Sequence, residues 1–364
     1  MRLSRYLARR FALAFLLVFG IFLGLMLLID LVEQVRRFSD RDVSLGSLLG
    51  LAALNVPDSL YAILPLIMLL AAISLFLALA RSSELVAIRA AGRSGIRLLL
   101  SPVTVALAIG AFTVMVLNPF VAATTKRAEE LAARYANGVA SVLSVSSEGL
   151  WLRQGGDGMQ TVIHANRANE DGTELSQVTF LNFDAEGRPL GRIEAAEARL
   201  GAGAWALSDV KQWRLDVPNP EAEAERLPSV EVASDLTAAR IRDSFGEPST
   251  VALWELPQFI AELDQAGFSS LRHRVWFQME LATPVLFAGM VLLAAGFTMR
   301  HARFGGTGVM VLAAVLAGFG IFFLRNFAQV LGESGQIPIS IAAWSAPVAT
   351  ILLALGLLLH VEDG

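Results

Sequence analysis

The first candidate functional segment in this sequence carries a single acidic residue among several arginines. Residues 81–92 read Arg-Ser-Ser-Glu-Leu-Val-Ala-Ile-Arg-Ala-Ala-Gly, and Glu84 is their one acid. Either serine before Glu84 can cap a helix, and a carboxylate in the first turn suits the helix dipole. Leu85 and Ile88 then share one face, and Arg89 follows them. The segment therefore predicts a short amphipathic helix.

Two interpretations of this helix remain open. It could lie on anionic lipid at a membrane surface, as basic amphipathic helices do. It could instead dock into a partner protein, where Glu84 would meet a basic residue.

Arg36 and Arg37 form a second charged cluster, soon after a long apolar stretch. The planar guanidinium group matches phosphate oxygens, so the two arginines could bind an anionic substrate. The alternative is structural, because Glu33 and Arg37 stand four residues apart and can pair along a helix. Arg325, at the end of another apolar stretch, also has a functional and a structural interpretation. It is either a functional intramembrane cation or a long side chain that reaches the interface.

Catalytic chemistry finds no support in the sequence. The four histidines are scattered along the chain, so a shared metal site is not expected. There is no phosphate-binding loop of the G-x-x-x-x-G-K-[ST] type and no recognisable nucleophile–base pair. The chain has no cysteine, which excludes thiol chemistry and disulfides. We predict a protein that is not an enzyme and holds no cofactor of its own.

The elements that must position these charges are apolar stretches. The chain of 364 residues is 55% hydrophobic and 17% charged, against about 25% charged residues in soluble domains. Because a helix needs about 20 apolar residues to cross a bilayer, we searched for stretches of that length without acidic or basic residues. Six qualify: residues 11–29, 59–80, 98–125, 281–299, 304–324 and 337–359. The first ends without a small-residue cleavage site, which indicates an uncleaved anchor rather than a signal peptide.

Basic residues set the predicted orientation. Four arginines precede the first stretch, four lie between the second and third, and two lie between the fourth and fifth. Cytoplasmic loops carry such an excess of basic residues, so both termini are predicted to be cytoplasmic. The region between the third and fourth stretches then lies outside, in the periplasm if the cell is Gram-negative.

That outer region, residues 140–245, differs in kind from the rest of the chain. It carries seventeen acidic and ten basic residues, and apolar and polar side chains alternate at 178–180 and 213–217. A period of two predicts strands with one buried face. Charged segments at 126–135 and 254–274 look helical. Turn signals recur at a spacing typical of a sandwich or barrel, at Gly155-Gly156, Asp171-Gly172, Glu186-Gly187 and Gly201-Ala202-Gly203.

The segment around Glu84 also has a recognisable spacing. Ser83-Glu84-Leu85 followed by Ala90-Ala91-Gly92 is similar to R-S-E-L-x-x-x-x-A-S-G, the coupling-helix motif of the lipopolysaccharide export permeases, the LptF/LptG family. Ser82 replaces the arginine of the motif, and Ala91 replaces its second serine. The extension at 32–37 and Val56-Pro57 resemble the LptG members more than the LptF members. The order of three spans, soluble domain and three spans is also that of the family.

The resemblance implies a permease subunit of an ABC transporter. Such a subunit extracts lipopolysaccharide from the inner membrane and passes it to a periplasmic bridge. The implied partners are the LptF permease, a dimeric LptB ATPase that hydrolyses the ATP, and the LptC and LptA proteins. Glu84 would dock in the ATPase together with Leu85, Ile88 and Arg89.

The resemblance also implies where lipid would bind. Arg36 and Arg37 match basic positions near the lipid headgroup, and Lys126, Arg134 and Arg325 are further candidates. Asp30 and Asp58 stand where better-known relatives carry lysine, so the handling of phosphates is left open.

The predicted fold class is an α-helical membrane protein with six transmembrane helices, three before and three after an inserted all-β periplasmic domain. The resemblance makes that domain jelly-roll-like, with an apolar interior that passes acyl chains onward. The predicted boundaries are 1–125 for the first three helices, with the coupling helix at about 82–95. The β domain with its flanking helices takes 126–272, and the last three helices take 273–364.

Two other functional classes remain as alternatives. A membrane-anchored sensor or scaffold would use the outer β domain to bind a ligand, with no lipid in a cavity and no ATPase at Glu84. A secondary transporter is less well supported, because the spans carry almost no charge at mid-depth and show no internal repeat.

Overall fold

The chain divides into two compact units. The membrane unit comprises Met1–Tyr135, Ser249–Trp254 and Leu271–Gly364, and the β unit comprises Ala136–Pro248 and Glu255–Ser270. A computed structural model describes residues 2–39, 43–82, 84, 95–137, 144–146, 149–154, 160–169, 172–184, 186–234, 236–237, 241, 247–266, 268–299 and 307–362.

Long helices dominate the described part of the membrane unit. Most of each predicted apolar stretch is helical in the described residues, and several of the helices continue into charged residues, because arginine and glutamate are good helix formers. The helices are α1 (Arg2–Arg37), α2 (Leu45–Arg81), α3 (Gly95–Phe112), α4 (Asn118–Asn137), α6 (Leu271–Thr298), α7 (Thr307–Glu333) and α8 (Ile339–Glu362). A π-helical turn, Thr113–Leu117, joins α3 to α4, so these two helices form one span.

Among the described residues, six segments are long and apolar enough to cross a membrane, which confirms the predicted spans. They are Leu3–Arg37, Leu45–Arg81, Arg97–Ala132, Leu271–Thr298, Gly308–Glu333 and Ile339–His360. In their most apolar windows, α2 and α6 are 61% and 72% buried, whereas α1 and α7 are 6% and 17% buried. The second and fourth spans are therefore central, and α1 and α7 leave most of their apolar surface uncovered within this chain.

Small residues allow the spans to approach closely, as is common between membrane helices. Gly110 of α3 faces the backbone of Pro284 in α6, where an added Cβ would come within 2.5 Å of the proline Cα. Gly289 of α6 packs against Thr350 of α8, where an added Cβ would lie 3.0 Å from the threonine methyl group. Glycine is thus required by contact at these positions rather than by backbone conformation.

The β unit is built on one antiparallel sheet of seven described strands. Each strand pairs with the next along the chain, so the described strands form a meander. The Greek-key crossover of a jelly roll is not found among them, and the jelly-roll topology is not confirmed. The strands are β1 (Ser144–Ser146), β2 (Gly149–Gln154), β3 (Gln160–Ala168), β4 (Glu174–Phe183), β5 (Pro189–Leu200), β6 (Ala204–Arg214) and β7 (Glu225–Ala233).

Turns join these strands largely where the sequence predicts them. Gly172, Gly187 and Gly203 have φ values of +69°, +80° and +85°, a backbone region that glycine adopts without steric cost. The fourth signal, Gly155-Gly156, lies outside the described residues. The predicted strand at 213–217 is wrong beyond Arg214, where β6 ends, although the Leu215 N–H still donates to the Leu190 carbonyl of β5 at 3.0 Å.

A crease crosses the sheet from β3 to β7. Between each two neighbouring strands from β3 to β7, one residue pair is missing from the hydrogen-bonded ladder. The residues of these missing pairs form one row across the sheet: Asn166, Gln177, Ala196, Asp209 and Pro228. Gln177 and Asp209 have positive φ values of 52°. At this row two successive residues point away from the core, so the core positions are three residues apart instead of two, as at Leu175 and Val178. The crease is therefore a bulge-like irregularity shared by neighbouring strands.

The apolar face of the sheet is filled by the unit's own side chains. Phe180 and Trp205 meet edge to face with ring centroids 6.3 Å apart. Leu263 of the helix α5 (Leu256–Ala266) and Phe268 belong to the same buried cluster. The helix predicted over 254–274 is thus two helices, α5 and the start of α6, separated by residues 267–270.

Candidate functional site

Glu84 lies at the centre of a polar cluster at the predicted cytoplasmic end of the membrane unit. Arg10 Nη1 of α1 lies 3.0 Å from Oε1 and 3.2 Å from Oε2 of its carboxylate. The Tyr6 hydroxyl donates to Oε2 at 3.1 Å, and the Ser82 hydroxyl donates to Oε1 at 2.9 Å. Arg10 also stands over the Tyr6 ring, 5.1 Å from its centroid. We call these four residues the Glu84 clasp.

The clasp keeps Glu84 charged. Partial burial acts to raise the pKa of Glu84, but hydrogen bonds from Ser82 and Tyr6 and the charge of Arg10 outweigh that effect. The pKa therefore falls below its usual value of 4.5. Since the folded-state pKa is lowered, the clasp stabilises the fold above pH 4.5 and loses that contribution as the pH falls further.

The other candidate residues of the coupling segment, Leu85, Ile88 and Arg89, lie outside the described residues. Their predicted role as docking residues stays a prediction. Arg10 and Tyr6 were not among the predicted site residues, because they lie more than 70 positions away in the sequence. The four N-terminal arginines were a signal for orientation but did not distinguish Arg10 from its neighbours.

The predicted lipid-binding residues are spread over three helices. Arg36 and Arg37 are exposed in the last turn of α1, and Lys126 is exposed on α4. Phe38, directly after α1, packs edge to face on Tyr135 of α4 with ring centroids 6.0 Å apart. This contact places the two arginines and α4 at the same end of the membrane unit.

Arg36 and Arg37 have different neighbours. Glu33 pairs with Arg36 at 3.6 Å rather than with Arg37, and Arg37 lies over the ring of Phe38. The side chain of Arg134 lies outside the described part of α4.

Asp30 does not face a substrate in this structure. It is 9% exposed, and its carboxylate accepts hydrogen bonds from Asn55 at 2.7 Å and Ser59 at 3.4 Å. Both donors lie on α2, so Asp30 ties the first span to the second. The presence of an acid at position 30 is therefore explained by hydrogen bonds within the chain. Asp58 is half-buried on α2.

A buried polar cluster joins three spans, and sequence reasoning missed it. The Tyr61 hydroxyl of α2 donates to the fully buried Glu280 of α6. Asn118, directly after the π-helical turn, lies 3.5 Å from that hydroxyl and accepts the Leu253 N–H at 2.8 Å. The search for charge-free stretches placed Glu280 just outside a span, whereas α6 begins nine residues earlier.

Arg325 belongs to the surroundings of this buried cluster. It is half-buried on α7 and close enough to interact electrostatically with Glu280. Intramembrane arginines commonly interact with acidic residues within the protein. The predicted role of Arg325 in lipid binding stays a prediction.

Replacing Tyr61 with phenylalanine should lower stability. Y61F removes the hydroxyl that donates to Glu280 and leaves a buried carboxyl group short of a partner, which costs about 2 kcal/mol. Thermal unfolding of the detergent-solubilised protein would measure the change. Y6F is the matched control, because the Tyr6 hydroxyl bonds at an exposed site, and equal effects of the two variants would contradict the prediction.

A polar cavity of about 640 Å³ lies on the sheet face opposite the apolar core. Its lining includes Glu194, Asp209, Lys211 and Arg226, which give it mixed charge. Acyl chains require apolar surroundings, so this cavity does not suit them. Within the β unit, an apolar ligand would fit the opposite face, where Phe180 and Trp205 lie.

Residues 5–360 match the family described as Lipopolysaccharide export system permease LptF/LptG. The chain belongs to this family. It is a multi-pass membrane protein and a permease subunit of lipopolysaccharide export, not an enzyme.

Two LptG relatives match this chain over nearly its full length. The Lipopolysaccharide export system permease protein LptG of Haemophilus influenzae is 23% identical over 341 residues, covering 92% of this chain and 91% of the relative. The LptG protein of Escherichia coli K12 is 24% identical over 369 residues, covering 98% of each chain. The predicted family and the resemblance to LptG are confirmed.

Proposed function

We propose that this permease forms the lipid-extracting half of an ABC exporter in the inner membrane, together with an LptF subunit. The support is the family match across residues 5–360, combined with six spans and a separate β unit. An LptB dimer binds and hydrolyses ATP in the cytoplasm, while this chain supplies spans and no cofactor. Both termini are cytoplasmic, and the β unit is periplasmic, where LptC and LptA receive the lipid.

The least buried spans supply the cavity for lipid. Apolar side chains on α1 such as Leu16 and Leu17 are 61% and 63% exposed, and Val309 and Phe323 on α7 are each 67% exposed. Apolar surface of this extent must face acyl chains or another apolar helix in the membrane. A second permease subunit opposite α1 and α7 would enclose a cavity between the two proteins.

Arg36 and Arg37 would meet the lipid at the outer end of α1. Their exposed guanidinium groups can each form two hydrogen bonds to a phosphate. Lys126 on α4, Arg134 and Arg325 are further candidates for headgroup contacts. The apolar face of the β unit would then take the acyl chains, which must displace some of the packing around Phe180 and Trp205.

The movement that drives export begins in the cytoplasm, at the ATPase. Closure of the ATPase dimer on ATP moves the segment that contains Glu84, Leu85, Ile88 and Arg89, and this segment follows directly on α2. Because α2 and α6 form the core of the membrane unit, movement of α2 changes the space beside α1. The cavity narrows, and the lipid leaves toward the periplasm.

Site-specific photo-crosslinking tests the route. A photoreactive residue at Val230 points to the apolar core of the β unit, whereas one at the adjacent Glu231 points away from it. In proteoliposomes containing the assembled complex, we expect lipopolysaccharide to label Val230 only when ATP is hydrolysed, and Glu231 to stay unlabelled. Equal labelling at the two positions, or labelling of Val230 without ATP, would contradict the proposed route.

A second pair of positions tests the headgroup site. A photoreactive residue at Arg36 should label lipopolysaccharide without ATP, because binding precedes extraction. Arg9 lies at the other end of the same helix and serves as the control. Labelling at Arg9 in place of Arg36 would mean that the orientation of α1 is reversed.

A further inference from the structure

The Glu84 carboxylate has no free capacity in the described structure. Two ionised oxygens offer about four acceptor positions. Arg10 contacts both oxygens, Tyr6 uses Oε2, and Ser82 uses Oε1. Glu84 can meet a basic residue of another protein only by giving up or sharing one of these contacts.

The clasp adds to the contacts that hold the cytoplasmic half of α1 within its own subunit, which include the hydrogen bond from the Ser101 hydroxyl to the Ser4 carbonyl at 2.6 Å. Leu7, Phe11 and Phe15 bury a narrow stripe of this helix in the membrane core. Val18, Phe19, Phe22, Met26 and Leu27 are half-buried against the same core, and only 6% of the most apolar window of α1 is fully buried. Arg10 lies beside the stripe and extends its attachment to a segment beyond α2.

From these contacts we propose that Arg10 is a positioning residue for export, which joins α1 through Glu84 to the segment that the ATPase moves. This inference rests on the proposed function. When the segment after α2 is displaced, the ion pair pulls the cytoplasmic end of α1 with it. Movement of α1 changes the cavity directly, because α1 is the span with the most exposed apolar surface.

The chain provides a closely matched control in Arg9. Arg9 neighbours Arg10, carries the same charge and is exposed. R9Q and R10Q therefore lower the N-terminal positive charge equally, and any effect on membrane orientation is common to both. R10K retains the charge but offers a single ammonium group in place of the planar guanidinium.

The test compares ATP hydrolysis and lipid release in proteoliposomes that contain the assembled complex. We expect R10Q to bind the ATPase and hydrolyse ATP like R9Q, while lipopolysaccharide release per ATP falls about tenfold, the loss expected for a charge-assisted contact. R10K should recover part of the release. A protein that merely folded less well would lose hydrolysis and release together.

Exchange of the charges gives an independent readout. E84R alone should uncouple hydrolysis from release, and the double variant R10E/E84R should restore part of the release. If R10Q releases lipid at the R9Q level, or if the double variant does no better than E84R, the inference is wrong. Failure of the proposed function is distinguishable, since the unsubstituted complex would then release no lipopolysaccharide with ATP.

Discussion

The variant E84A should insert and fold, yet export about 100-fold less lipopolysaccharide than the unsubstituted protein. The substitution removes the acceptor of the charged contact from Arg10 and of two hydroxyl hydrogen bonds. Charge-assisted hydrogen bonds contribute about 1.5–3 kcal/mol each, and a loss of about 2.7 kcal/mol in coupling corresponds to about 100-fold. Release from proteoliposomes measures the effect.

Glu33 provides the control for E84A. It is an exposed acid at the other end of α1, and its ion pair within the described residues is with the exposed Arg36. Exposed pairs of this kind contribute up to about 1 kcal/mol, so E33A should change release by less than about fivefold. Normal export by E84A with its ATPase bound would show that the segment after α2 is not the coupling element.

The largest effect on stability is expected for G110L. A side chain at Gly110 would meet the backbone of Pro284 at 2.5 Å, and a proline backbone in the middle of α6 cannot move aside without shifting the helix. Overpacking against backbone costs about 3 kcal/mol or more. We expect the yield of folded protein to fall sharply, with a lower midpoint of thermal unfolding in detergent for what remains.

Gly20 and Gly24 on α1 provide matched controls for G110L. Both are glycines within a span, but an added Cβ at either position has no neighbour within 4 Å. G20L and G24L add the same leucine to a membrane helix without a contact, so they should fold normally. A midpoint of G110L equal to that of G20L would contradict the close approach of α3 and α6.

The membrane spans could be predicted from the sequence because hydrocarbon excludes charge along a whole helix. The ends of the helices could not, since Arg2 to Arg10 and Leu31 to Arg37 are helical despite their charges. Glu280 was missed for the same reason, because one acid ended a charge-free stretch. Nothing in the sequence around Glu280 indicates that Tyr61, 219 positions away, supplies a hydrogen-bond donor.

The β unit was predictable in its alternation and its turns but not in its pairing. Val178 and Phe180 are buried around Thr179 as predicted, and glycines occupy the turns. The crease could not be inferred from one strand alone, because a single break in the alternation of apolar and polar residues has no clear structural meaning. It can be recognised only when neighbouring strands are paired and show the break in the same row. The Glu84 clasp shows the same limit, since the motif marks Glu84 but not its partner in α1.

The crease also links the lengths of separate strands. Removing one residue from β4 between Leu175 and Val178 would turn half of that strand over, because side chains alternate with a period of two. The neighbouring strands would keep their own irregularity, and polar groups would enter the core. Insertions and deletions in this sheet are therefore tolerated only where loops absorb them, or where adjacent strands change by the same amount at once.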